Sequence, residues 1–303
     1  MKQPAFLQSG DLVAVVAPAG RVAPEQVLPA LTWLEQEGFR VWQGSNLFGE
    51  EHQFAASDAG RAADLQAALD HPEVKAVFCA RGGYGTARII DRLDFAGFLR
   101  HPKWLVGFSD ITVLHNRLHQ LQVATIHGVM PRYFLDDSGL PTEGSRALLS
   151  LLRGEKAAYT IAPAAWNRAG RAQAPLAGGN LSILCSLRGT LYDLDLRGKI
   201  LFLEDVGEYL YHIDRMMQNL RLGGKLEKLA GLVVGQFTEM KDNPVPFGKS
   251  AEEIIREAVE PYHFPVCFGM QAGHGQPNLP LLFGPKWKLE VSAAGCSLSV
   301  CDV

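Results

Sequence analysis

Short apolar runs rich in β-branched residues alternate with amphipathic stretches through the first half of the chain. LVAVVA at 12–17, FRVW at 39–42, VKAVFCA at 74–80 and WLVGF at 104–108 read as strands, and the spacing predicts helices near 24–37 and 58–70 and over 110–120. Apolar strands separated by helices make βαβ units and a parallel sheet buried on both faces. Ligand-binding loops then belong at the carboxyl ends of the strands. Two loops there are unusual: RGGYGTAR at 81–88 and GFSDIT at 107–112.

Around residues 155–178 the texture changes to an Ala, Pro and Gly stretch without helical period. At 303 residues the chain exceeds the usual size of one hydrophobic core, so two domains are the first expectation and one large α/β domain the competing one. Their ranges are an N-terminal α/β domain at 1–155, a crossover linker at 156–175 and a C-terminal domain at 176–303. The second contains a strand ILFLED (200–205), a polar helix (208–222), a strand LAGLVVGQF (229–237), a helix near 250–260 and short strands to the end. KLEVSA and SLSV near 287–301 alternate weakly, which predicts a mixed or barrel-like sheet rather than a second doubly wound one.

Hydrophobic residues make up 47% and charged residues 20%, the balance of an ordinary globular protein. A formal net charge of -3 gives no electrostatic reason to bind nucleic acid or an anionic membrane, so neither is expected as a partner. Cys79, Cys185, Cys267, Cys296 and Cys301 are scattered and form no CxxC pair, which predicts buried free thiols in a reducing compartment. The apolar run Leu12 to Ala17 is too short and wrongly flanked for a signal peptide, so a cytoplasmic location is expected.

Ser109 follows an apolar strand and precedes ITVLHNRLH, with apolar residues in helical spacing. A serine at such a strand-to-helix turn exposes its hydroxyl at the sheet edge, with a helix N-terminus behind it to stabilise developing negative charge. The GxSxG signature is half present, with Gly107 but Ile111; helix capping by Ser109 or Asp110 is the competing account. The glycines of RGGYG let the backbone approach a ligand, and their N–H groups with that of Asp110 can form an oxyanion hole. A phosphate cradle flanked by Arg81 and Arg88 is the rival, and a plain tight turn the third account.

Glu204 and Asp205 end an apolar strand, and either carboxylate can orient an imidazole or cap the following helix. Among nine histidines, His274 lies in the Gly- and Pro-rich GHGQPNLP loop, with His127 the second candidate base. His115, His119 and His212 fall on predicted helices, where surface or hydrogen-bonded roles are expected. The i, i+4 pair His115 and His119 has metal-ligand spacing but no HExxH glutamate and no third ligand.

RGGYG at 81–85, GFSD at 107–110, GGNL at 178–181, LEDVGE at 203–208, IDRM at 213–216 and GHG at 273–275 together resemble the L,D-carboxypeptidase family of serine peptidases, in the same order and over nearly the whole chain. The resemblance implies a flavodoxin-like or glutamine-amidotransferase-like N-terminal domain and a C-terminal domain of swivelling-barrel type. It implies Ser109 as nucleophile, Glu204 as acid and His274 as base, with Gly83 and Asp110 as backbone oxyanion donors. No cofactor or metal is required. The typical family substrate is a murein tetrapeptide that loses its terminal D-alanine during cytoplasmic recycling. A related branch cleaves aminoacyl-nucleotide antibiotics and confers immunity, and family members are commonly homodimers. Arg81 is a candidate partner for the substrate's terminal carboxylate, and Asn180 a second substrate-binding candidate. The contrasting accounts are a non-catalytic small-molecule binder in which RGGYGTAR grips an anion, and a metal-dependent hydrolase.

Overall fold

The computed structural model describes residues 1–301. They form two compact units, Met1–Glu155 with Leu279–Leu281, and Lys156–Asn278 with Leu282 onward. Both are α/β in character, and the second contains a mixed sheet.

In the first unit the chain runs β1 (Leu12–Val16), α1 (Pro24–Gln36), β2 (Arg40–Gln43), α2 (Asp58–Asp70), β3 (Val74–Cys79), α3 (Ala96–Arg100), β4 (Trp104–Gly107), α4 (Thr112–Gln120), β5 (Thr125–His127) and α5 (Glu143–Leu152). The pairings β2-β1-β3-β4-β5 are all parallel. A short strand opening at Leu281 joins the sheet beside β5. All four β4 residues are buried, as are all those of β3 except Lys75, as a sheet covered on both faces requires. Two of these helices start at polar residues that cap them: Ser57 accepts from Gly60 N–H at the head of α2, and Thr142 from Ser145 N–H at the head of α5.

The second unit contains β6 (Ala158–Ile161), β7 (Gly170–Asn180), α6 (Leu181–Ser186), β8 (Ile200–Val206), α7 (Leu210–Leu222), β9 (Gly231–Thr238), α8 (Ala251–Ala258) and β10 (Val266–Phe268). The strand at Leu281–Phe283 is β11, followed by β12 (Lys286–Ser292) and β13 (Gly295–Val300). Its sheet has the order β10-β9-β8-β7-β12-β13-β6. The β10 to β7 part is parallel and the β7 to β6 part antiparallel. Leu201, Leu203, Ile213, Met217, Val234 and Ile254 belong to the core between the parallel strands and their helices.

Residues 156–175, expected as a linker, instead contain β6 and the first half of β7. Arg171 and Gln173 are exposed and alternate with Ala172 and Ala174, a period-2 strand pattern whose inward side chains are too small to give a strong apolar signal. At Gly178, φ is 143°, and a Cβ would collide with the backbone of Phe202 on β8, so β7 can pair there only through glycine.

Candidate active site

Ser109 lies half-buried at the first position of a 3-10 turn, Ser109–Ile111, between the end of β4 and the start of α4. Its φ is 64°, a left-handed conformation that turns the chain sharply off the strand. Neither Ser109 nor Asp110 caps α4 through its side chain. The Asp110 carboxylate instead reaches the glycine loop, where Oδ2 accepts from the Thr86 N–H at 2.8 Å. Burial pushes the Asp110 carboxyl above its usual range, against the opposing pull of donors from Thr86 and Gly85 and the charge of Arg61.

The glycine loop comes close to the serine. A Cβ on Gly82 would lie 2.9 Å from Ser109 Cβ and 3.2 Å from its Oγ, so the close approach needs a glycine there. Gly83 is exposed with φ 98°. The loop is thus held beside the hydroxyl with bare backbone facing outward, a surface suited to binding negative charge.

In the second unit, Glu204 and Asp205 at the end of β8 take different directions, as successive strand residues must. Glu204 is fully buried, and its Oε2 lies 2.6 Å from His274 Nδ1. Asp205 Oδ1 accepts from Asn180 Nδ2 and Val206 N–H, each at 2.9 Å, and Oδ2 accepts from Ser182 N–H at 2.9 Å. Burial and then the charge of Glu204 raise Asp205 to about 7. Burial also opposes a charged His274, but the hydrogen bond and charge of Glu204, with Asp205 and Glu239, outweigh it and leave the imidazole above its ordinary value. With Nδ1–H donating to Glu204, the neutral ring has its lone pair on Nε2, the tautomer a general base needs.

The His274 loop is fixed by two residues the sequence reading did not single out. Asn278 Oδ1 accepts from Gly273 N–H at 3.0 Å, and Gln236 Oε1 accepts from Gly275 N–H at 2.8 Å. The available signal for Gln236 was a lone polar residue at the carboxyl end of an apolar strand. Gly273 has φ 125°, and a Cβ there would press within 2.9 Å of Glu204, so this glycine makes room for the carboxylate partner of His274, while a Cβ on Gly275 would collide with the Gln236 amide.

Arg81 donates from Nη1 to Arg21 O at 2.6 Å and is in no ion pair among the described residues. Burial, followed by the neighbouring charge of Arg132, lowers its pKa. Asn180 is only 3% exposed; its Oδ1 accepts from Ile183 N–H at the head of α6 while its amide holds Asp205. His115 is buried, with Nδ1 2.8 Å from Thr125 Oγ1 and Nε2 2.9 Å from Gly107 O, so both ring nitrogens of that i, i+4 pair member are engaged. His127 is wholly buried within β5. Among the described residues no group of three or more His, Cys, Asp or Glu is placed to hold a metal ion.

Two family models match the chain: the LD-carboxypeptidase N-terminal domain over residues 13–128 and the LD-carboxypeptidase C-terminal domain over residues 173–289. A probable murein peptide carboxypeptidase of Bacillus subtilis is 38% identical over 293 residues, covering 94% of this chain and 90% of the relative. The crystal structure of muramoyltetrapeptide carboxypeptidase from Oxalobacter formigenes superposes with a TM-score of 0.86 at 28% identity, covering 96% of this chain and 99% of that one. The microcin C7 self immunity protein MccF, in complex with aspartyl sulfamoyl adenosine, shares the fold with a TM-score of 0.87 at 18% identity, over 99% of this chain and 98% of that one. The sequence motifs and both domain matches agree: the chain belongs to the LD-carboxypeptidase family.

Proposed function

We propose that this chain is a serine carboxypeptidase that hydrolyses the L,D-peptide bond of a murein tetrapeptide, releasing its terminal D-alanine during cytoplasmic peptidoglycan recycling. The observation that carries the serine mechanism is the 2.6 Å contact between buried Glu204 and His274, in a chain whose strand-to-helix turn carries Ser109 at φ 64°. The similarity to a relative named a probable murein peptide carboxypeptidase supports the substrate. Free rather than bridged cysteines fit a reducing compartment. The strand order β2-β1-β3-β4-β5 supports a flavodoxin-like reading of the first unit.

In this account His274 Nε2 takes the proton of Ser109 as Oγ attacks the carbonyl that precedes D-alanine. Glu204 holds the imidazole and stabilises its charged form. The N–H groups of Gly83 and Asp110 receive the oxyanion. The C–N bond then breaks, D-alanine leaves with the proton carried by His274, and the peptide remains esterified to Ser109. Water that gives its proton to His274 attacks the ester, the C–O bond breaks, and the proton returns to Ser109. Arg81, which is in no ion pair among the described residues, pairs with the terminal carboxylate that defines a carboxypeptidase substrate.

Steady-state kinetics on the murein tetrapeptide and on an aminoacyl nucleotide test the substrate assignment. A kcat/KM at least about tenfold higher for the tetrapeptide is expected, a difference of about 1.4 kcal/mol in transition-state binding. The reverse preference overturns murein recycling in favour of antibiotic immunity.

A further inference from the structure

Arg61 is an arginine on the buried face of α2, 1% exposed, where an apolar side chain would normally sit. Its guanidinium is used from several sides. Nη1 donates to Pro18 O at 2.5 Å and to Gly85 O at 2.9 Å, Nε donates to Ala56 O at 3.1 Å, and Nη2 pairs with the Asp58 carboxylate. The ring of Phe54 lies 4.8 Å from the guanidinium carbon. These carbonyls belong to three separate segments: the loop after β1, the approach to α2, and the glycine loop after β3. A buried cation is costly unless its charge is balanced and its donors are used, and only the planar fork of arginine can reach three segments at once.

The backbone of the glycine loop is also anchored elsewhere. The Gly20 N–H donates to Gly82 O at 3.0 Å, and the Thr86 N–H to Asp110 Oδ2 at 2.8 Å. A trans peptide directs its C=O and its N–H to opposite sides. Tying Gly82 O to Gly20 therefore directs the N–H of Gly83 away from Gly20. Gly83 and Gly85 sit at φ 98° and 141°. Glycine reaches these conformations alongside many others, so something outside the loop must select them.

We propose that Arg61 is a positioning residue that clamps the glycine loop, keeping the Gly83 N–H aimed at the oxyanion. The inference rests on the proposed serine mechanism, in which Gly83 is an oxyanion donor. Arg61→Lys keeps the charge but presents its donors from a single point and cannot bridge the three segments. Its kcat falls by about 100-fold, the scale of a donor misplaced by about 1 Å, while KM stays within about twofold.

The decisive readout is the affinity of a murein tripeptide aldehyde, which forms an oxyanion on addition of Ser109, set against that of the free tripeptide product. In Arg61→Lys the aldehyde weakens by about the same factor as kcat and the product does not. Hydrogen exchange on the folded variant gives an independent measure, with faster exchange expected at residues 82–86 and wild-type exchange in β3 and β4. Wild-type kcat in folded Arg61→Lys, equal weakening of aldehyde and product, or unchanged exchange at 82–86 overturns the clamp. Ser109→Ala, assayed alongside, separates the two ideas. Turnover retained by that variant sinks the serine mechanism itself, whereas an inactive Ser109→Ala beside a fully active Arg61→Lys sinks only the clamp.

Discussion

His274 is held between two opposing influences, burial that favours the neutral ring and the carboxylate of Glu204 that favours the charged one, and the second prevails. The proposed base works only when neutral, so kcat/KM rises as pH climbs through the His274 pKa, and the rising limb lies above 6.5, the value of an ordinary histidine. Glu204→Gln removes the largest of the charges that oppose burial, leaving only the weaker pulls of Asp205 and Glu239, and moves that limb to lower pH, while the rate at the plateau falls because the imidazolium has lost its stabilising partner. A pH profile of kcat/KM for both proteins checks the direction; a limb that stays in place contradicts the electrostatic coupling. The chain itself left Glu204 and Asp205 equivalent, since both follow residues buried on both faces of β8 and no alternation indicates which side each takes. Three-dimensional pairing separates them: Glu204 meets His274, while Asp205 meets Asn180 and the head of α6. Arg61 was equally hidden. Its place among Ala62, Leu65, Ala68 and Leu69 on the inner face of α2 was the only signal.

Elements with a strong period were legible from the pattern of the chain. The helix expected near 58–70 spans Asp58–Asp70, and the strand expected at 200–205 spans Ile200–Val206. β5 and β10 each have only three residues, too few for a period to emerge. α5 was not anticipated although it has a buried leucine face and a Thr142 cap. α8 shows how local chemistry sets a boundary: Ser250 Oγ accepts from Glu253 N–H at 3.3 Å, and the Glu253 carboxylate accepts from Ser250 N–H at 2.8 Å. This reciprocal cap satisfies two donors that the helix leaves open. Ser250→Ala is expected to destabilise the protein by about 1 kcal/mol, read from urea unfolding, with kcat unchanged. A loss well below about 0.5 kcal/mol means that α8 is held by its buried Ile254 and Ile255 rather than by its cap.

The residues of the proposed triad are widely spaced in sequence, Ser109 in the first unit and Glu204 and His274 in the second, so no local pattern could have linked them. Six motifs in a family-like order carried that information, and two domain matches to the LD-carboxypeptidase family now account for most of the chain. Physical reading of the residues indicated which chemistry each segment could host, such as an exposed hydroxyl at a strand end or a buried carboxylate beside an imidazole. It did not indicate which peptide is cut, because a substrate pocket is assembled from loops distant in sequence. The central claim is that Ser109 is the nucleophile. The most direct measurement follows D-alanine release from murein tetrapeptide by wild type and by Ser109→Ala, with and without a metal chelator. The account predicts chelator-resistant release by wild type and a loss of about 10⁴-fold or more in the variant. Equal release by the two proteins contradicts it.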